Sequence, residues 1–155
     1  MPVKLTRYIR PECFIVDLRA RKREDALRTI VHAVAEKGLI KDEKDVFARL
    51  MERESIQSTA VGNRIAIPHC FTDEVPDLII TVARSRDGLE FDSFDGKPTQ
   101  VVFLLMGNRQ EHGLHLKALA RIARLIKSTS FIEKIIASST VEDMVTAFTQ
   151  EEAKI

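Results

Sequence analysis

The sequence predicts an α/β fold of the α+β kind: a mixed β-sheet with helices packed on its faces. Three observations carry this prediction. The first third holds apolar residues at helical spacing, the middle holds a short apolar run bounded by turn signals, and the last third is helical throughout. No internal repeat, low-complexity segment or Pro/Gly/Ser-rich linker divides the chain. A single domain over 1–155, long enough to bury a core, is expected.

Phe14–Leu18 is β-leaning and is predicted as a first strand. From Arg23 to Lys37, the residues Leu27, Ile30, Val31 and Val34 recur at helical spacing, and Gly38 supplies a stop. A second helix starts at about Asp42, its N-cap, runs through Val46, Phe47, Leu50 and Met51, and ends near Glu54 or Ser55. Gln57–Asn63 reads as a loop that leads into a strand through Ile65 and Ile67. Leu78–Arg84 is another strand, and Asp95-Gly96 signals a turn. Val101–Met106 is predicted as a central strand buried on both faces. Leu116, Leu119, Ala123 and Ile126 mark a long helix. Ser130 with Glu133, and Thr140 with Asp143, are predicted to start the last two helices.

Composition narrows the function classes. The 24 basic and 23 acidic residues leave a net charge of +1, which argues against nucleic-acid binding through a broad basic face. Lys4, Arg7 and Arg10 stand without an apolar h-region, so no signal peptide is expected. No window approaches eighteen uninterrupted apolar residues, so no membrane insertion is expected either. The 2 cysteines, Cys13 and Cys70, form no disulfide framework and suit a reducing cytoplasm.

Three polar residues fall on faces the pattern assigns to the core. Arg53 follows Val46 and Leu50 on the second helix, at i+7 and i+3. His115 begins the stripe that Leu119, Ile122 and Ile126 continue. Ile65, Ile67 and His69 share one face of an extended chain, and Pro68 biases Ile67 toward that conformation. A buried guanidinium needs an anion, and a phosphoryl group on one of the imidazoles would supply it. A helix start at His115 would add N–H groups suited to phosphate. Blander readings stand beside this one. Arg53 can pair with Glu52 or Glu54, His115 can be a satisfied helix-start histidine, and His69 can simply close a strand. His32 lies off its helix stripe and is read as a solvated face residue, and His112 precedes its helix and is read as a loop or cap residue. His69, Cys70, His112 and His115 make a poor metal set, because neighbouring strand residues point to opposite faces; no metal and no cofactor is expected. A cysteine hydrolase built on Cys70 lacks a Gly-rich oxyanion segment.

The string Arg53-Glu54-x3-Ser58-Thr59-x2-Gly62-x2-Ile65-Ala66-Ile67-Pro68-His69 resembles the signature of enzyme IIA domains of the fructose–mannitol class. These belong to the bacterial phosphoenolpyruvate-dependent phosphotransferase system. The resemblance continues in Phe91-x2-Phe94-Asp95-Gly96-x-Pro98, in His115-Leu116-x2-Leu119-Ala120, and in the opening Pro11-Glu12-Cys13. The length, with no fused IIB or IIC segment, looks most like the nitrogen-regulatory branch. Departures fall at Ala60 and Arg64, where the family usually has glycine, and at Cys70, where glycine is common.

The resemblance implies a three-layer α/β/α sandwich and a cytoplasmic phosphotransferase with a phosphohistidine intermediate. It implies that His69 accepts a phosphoryl group from the histidine phosphocarrier protein, with Arg53 and His115 as the other catalytic residues. Ser58, Thr59, Gly62 and Asn63 carry over as the loop beside the phosphate, and Arg64 is a candidate for partner recognition. Regulation of the nitrogen type is the leading expectation, with a IIB component, a sensor kinase or an ion transporter as further partners. The alternatives are a sugar-specific IIA component feeding a separate IIB protein, and a docking module of the same fold that transfers nothing.

Overall fold

A computed structural model describes residues 3–155. The predicted central strand organises it. Strands are β1 (Ala60–Gly62), β2 (Ile65–Ala66), β3 (His69–Phe71), β4 (Leu78–Leu89) and β5 (Thr99–Gly107). β5 pairs antiparallel with β4 on one side, and parallel with β2 and β3 on the other. Because side chains alternate across a strand, β5 serves two cores. Val102, Leu104 and Met106 pack with α1 (Arg23–Glu36) and α2 (Glu43–Ile56). Val101, Phe103 and Leu105 pack with α3 (His112–Leu125), α4 (Thr129–Ala137) and α5 (Val141–Glu152). This is the expected α/β/α sandwich.

The strand predicted through Ile65 and Ile67 is in fact two pieces, β2 and β3, laid end to end along β5. Pro68 has no N–H to give a ladder, although its carbonyl accepts from the N–H of Leu105 at 3.0 Å. The N–H of Ile67 turns away to the carbonyl of Thr59 at 3.0 Å. The segment read as a loop over Gln57–Asn63 contains β1, which forms a hairpin with β2. Its turn, Asn63-Arg64, has φ of 53° and 70°, the sign pattern of a two-residue I′ turn. Asn tolerates that region; a long side chain such as Arg pays for it in steric crowding. Arg64→Gly is therefore expected to raise stability by about 1 kcal/mol, read as a higher urea midpoint at unchanged slope.

Phe14–Leu18 is not a regular strand. The N-terminal segment coils through short 3₁₀ turns at Leu5–Arg7 and Pro11–Cys13, and touches β4 and the residue after it through isolated parallel bridges. Ile9 pairs Ile80, Ile15 pairs Ala83, and Lys22 pairs Glu90. Its turns prevent a continuous ladder, yet the bridges still cover the outer edge of β4. The helix signals fare better. Leu27, Ile30, Val31 and Val34 are buried, and Gly38 stands at φ 74° after α1. Asp42 accepts from the N–H of Asp45, and Thr140 with Asp143 forms a complete capping box on α5. Ser130 is no cap. It lies inside α4, and its hydroxyl donates to the Glu151 carboxylate instead.

Candidate functional site

His69 opens β3 in register with Leu105, on the face that Ile65 and Ile67 also occupy. Cys70 pairs with Met106 and enters the opposite core, so the two neighbours do point apart. The half-buried ring of His69 puts Nδ1 2.9 Å from the carbonyl oxygen of Ile67. A carbonyl only accepts, so Nδ1 carries the proton and Nε2 holds the lone pair. Burial pushes the His69 pKa down; the Ile67 carbonyl opposes that shift, and the positive charge of Arg53 adds to it. The ring is neutral near pH 7.

His115 is the fourth residue of α3 and only 2% exposed. Its ring centroid lies 5.6 Å from that of His69. Phe71 stands between two histidines, 4.4 Å from His115 and 4.5 Å from His112, ring centre to ring centre. Gly107, at the end of β5, clears space for the His115 ring: a β-carbon there would collide with Nδ1. Neither ring nitrogen of His115 has a hydrogen-bond partner among the described residues. Burial first, and then the nearby His69 and His112, push its pKa down to about 4.

That shift has a stability consequence. Above about pH 6.5 His115 is neutral both folded and unfolded. As pH falls from there toward 4 the unfolded chain takes up the proton first, so stability is lost with acid. The loss through this one group is on the order of 3 kcal/mol. Urea titrations at pH 7 and pH 4.5 should separate the wild type from His115→Gln, which lacks this component.

Arg53 is half-buried at the end of α2, where Nη1 donates to the carbonyl of Gln57 at 3.0 Å. It does not pair with Glu52 or Glu54, and no carboxylate lies within ion-pair distance of it among the described residues. The apolar stripe instead continues from Val46 and Leu50 to Glu54, which is 3% exposed. Glu54 accepts from the N–H and hydroxyl of Thr59 and lies 3.6 Å from Arg23. Thr59 is thereby fixed beside Ile67, next to the His69 strand.

The remaining predicted loop residues separate from this cluster. Ser58 is committed to its own loop: its hydroxyl donates to the Phe91 carbonyl at 2.7 Å and accepts from the N–H of Ala60. Gly62, Asn63 and Arg64 form the hairpin tip. Ile65 pairs with Val101 there, while His69 pairs with Leu105, four residues along β5 and so about 13 Å away. The N–H of Asn63 donates to Asp95, and Arg64 donates to Gln100. Two further expectations are corrected. His112 is the first residue of α3 and stacks on Phe71, so the unpaired helix-start N–H groups lie at His112–Leu114, one turn before His115.

Sequence reading missed Phe71, Gly107 and Glu54. Phe71 lies two residues after His69 on the same strand face. Glu54 lies at i+4 from Leu50, a spacing as good as that of Arg53. Nothing in the sequence marks Gly107, because its role depends on a ring from another element. Among the described residues, no group of three His, Cys, Asp or Glu is arranged to hold a metal ion, and no helix is long and apolar enough to cross a membrane.

The chain is similar to known proteins over most of its length. It is 36% identical over 138 residues to a nitrogen regulatory protein of Bradyrhizobium diazoefficiens, covering 89% of this chain and 88% of that one. It is 28% identical over 131 residues to a mannitol-specific phosphotransferase enzyme IIA component of Bacillus subtilis, covering 83% and 87%. Its fold matches the crystal structure of nitrogen regulatory protein IIA-Ntr from Neisseria meningitidis with a TM-score of 0.85, at 24% identity, over 93% of this chain and 98% of that one. The family described as "Phosphoenolpyruvate-dependent sugar phosphotransferase system, EIIA 2" matches residues 7–151, and this chain belongs to it.

Proposed function

We propose that the protein is a cytoplasmic phosphoryl carrier that takes a phosphoryl group onto Nε2 of His69 from the histidine phosphocarrier protein and serves regulation of the nitrogen type. The observation that carries this reading is the Nδ1–H of His69 held on the Ile67 carbonyl, which leaves Nε2 with its lone pair. In the transfer, the Nε2 lone pair attacks phosphorus as the phosphorus–nitrogen bond to the donor imidazole breaks. The electron pair of that bond returns to the donor ring, which takes up a proton from solvent, while the His69 ring keeps its Nδ1–H and carries one positive charge. The positive charge that develops on the His69 ring is met by the Ile67 carbonyl at Nδ1. The chemistry asks mainly for position and charge neutralisation. Arg53 offers a guanidinium with no carboxylate partner, and His115 offers an unpaired ring nitrogen as a hydrogen-bond partner for a phosphoryl oxygen.

A sugar-specific role draws on the similarity to the mannitol-specific phosphotransferase enzyme IIA component of Bacillus subtilis, at 28% identity over 131 residues. On that reading a IIB component is the acceptor; on the regulatory reading a sensor kinase or ion transporter is the target. The non-transferring reading draws on Ala60 and Arg64; Ala60 pairs with Ala66 in the hairpin, and Arg64 lies in its turn, at the end away from His69. The test is incubation with phosphoenolpyruvate, the general phosphotransferase enzymes and the phosphocarrier. Acid-labile phosphate on the protein is expected, and its absence with a competent phosphocarrier would reject the carrier role. Addition of a IIB protein, which would strip the label only in the sugar-specific case, separates the two transfer readings.

A further inference from the structure

The hairpin end of the sheet carries a groove of about 540 Å³, within the range of small-molecule sites. Three cations from separate segments line it: Arg64 from the β1–β2 turn, Lys97 from the loop before β5, and Lys127 from the α3–α4 connection. None has a carboxylate within ion-pair distance among the described residues. Asp95, two residues from Lys97, accepts from the hydroxyl of Ser93 and the N–H groups of Lys97 and Asn63; it feels the Lys97 charge but makes no ion pair with it. Glu133 is the one acidic residue in the lining, so the groove is net positive. Its floor is apolar, built from Ile65 and Ile132, which are 2% and 5% exposed.

We propose that this groove binds a small phosphomonoester, its phosphate held between Arg64, Lys97 and Lys127 and its carbon skeleton laid on Ile65 and Ile132. Three like charges that line one cavity with no carboxylate in contact, Arg64 held only by the neutral Gln100, repel each other, and a dianion in their midst removes that repulsion. Arg64 contributes more than a lysine could, because its planar fork can hold two phosphate oxygens at once. Arg64 also keeps a left-handed backbone conformation in which glycine would be less crowded. The apolar floor selects an ester over bare phosphate. The site is separate from His69 and does not rest on transfer there.

The test is an amide-shift NMR titration of the full chain with phenyl phosphate, with inorganic phosphate and benzyl alcohol as the comparison probes. Saturable shifts are expected at Asn63, Arg64, Thr129 and Ile132 with phenyl phosphate, with weaker binding of inorganic phosphate and none of benzyl alcohol. Arg64→Gly and Lys127→Ala should each weaken phenyl phosphate by about three- to tenfold, as loss of a charge-assisted contact implies. His69→Ala should bind it as the wild type does, which keeps this site distinct from transfer. The proposal is overturned by shifts that do not saturate, by shifts confined to the surroundings of His69, by equal affinity for inorganic phosphate, or by unchanged affinity in both groove variants.

Discussion

A His69→Ala variant is expected to fold as the wild type and to take up no acid-labile phosphate. The side chain makes one hydrogen bond, to the Ile67 carbonyl just before its own strand. The cost in stability should stay near 1 kcal/mol, the net worth of one such bond. Chemistry is affected far more, because no other side chain in the cluster presents an uncharged ring nitrogen in the same place. His115 is neutral at pH 7, but it is 2% exposed and wedged against Gly107, so it cannot replace His69 at a docked donor. Arg53→Ala should leave circular dichroism unchanged and slow labelling by roughly 10²-fold, the usual loss for one charge-stabilising group. The pH dependence follows from the lowered pKa of His69. Labelling should be flat around neutrality and should fall only as acid protonates Nε2, below the usual histidine range. Labelling of His69→Ala equal to that of the wild type would move the acceptor elsewhere, whereas an unfolded Arg53→Ala would make Arg53 a structural residue.

Glu152→Ala is expected to destabilise the fold by about 3–5 kcal/mol, the cost of breaking a buried ion pair from one side. Glu152 ends α5 with its carboxylate 4% exposed. It accepts from the Leu5 N–H at 2.6 Å, from the Thr6 N–H at 2.9 Å, and from Nε of Arg121 at 2.7 Å. One side chain therefore joins the last helix, α3 and the N-terminal 3₁₀ turn. Burial raises its pKa, but the bonds from Arg121, Leu5 and Thr6 outweigh it and hold the carboxyl below the ordinary carboxylate range. The stabilisation is present above the carboxyl pKa of the unfolded chain and is lost as acid protonates the folded group. Removing the carboxylate leaves two amides and a mostly buried guanidinium without partners. Glu152→Gln keeps the shape but loses the charge, and should cost about half as much. Chemical denaturation at pH 7 reads both, and a loss below 1 kcal/mol for the alanine variant would show the cluster to be well hydrated.

Both predictions depend on contacts of very different sequence separation, and this separation governs what could be read in advance. His69 and His115 were legible because period two and period 3.6 are local rules: each placed its histidine on the face toward one core. Arg53 and Glu54 were harder, since adjacent residues on a helix differ by 100° and an assigned stripe is broader than that. The sequence pattern favoured Arg53 as the inward residue, and the fold buried Glu54 instead, because Thr59 and Arg23 were there to satisfy it. The loop signature in turn contained two places. Thr59 stays beside the His69 strand, while Gly62, Asn63 and Arg64 are carried to the far end of β5 by a hairpin the loop reading had not foreseen.

The sequence alone determined the fold class, the helices with the caps at Asp42 and Thr140, the buried central strand, and the shared face of Ile65, Ile67 and His69. Each of these follows from periodicity or from a turn or cap whose partners lie within a few residues. Only the tertiary structure decided that His69 stacks near His115 and Phe71, and that Gly107 leaves room for an imidazole. It alone decided that Glu152 binds residues 146 and 147 positions away, and that Arg64 faces a groove remote from His69. Those relations are set by which elements the two cores bring together, and no local rule encodes the approach of one side chain to another from a different element.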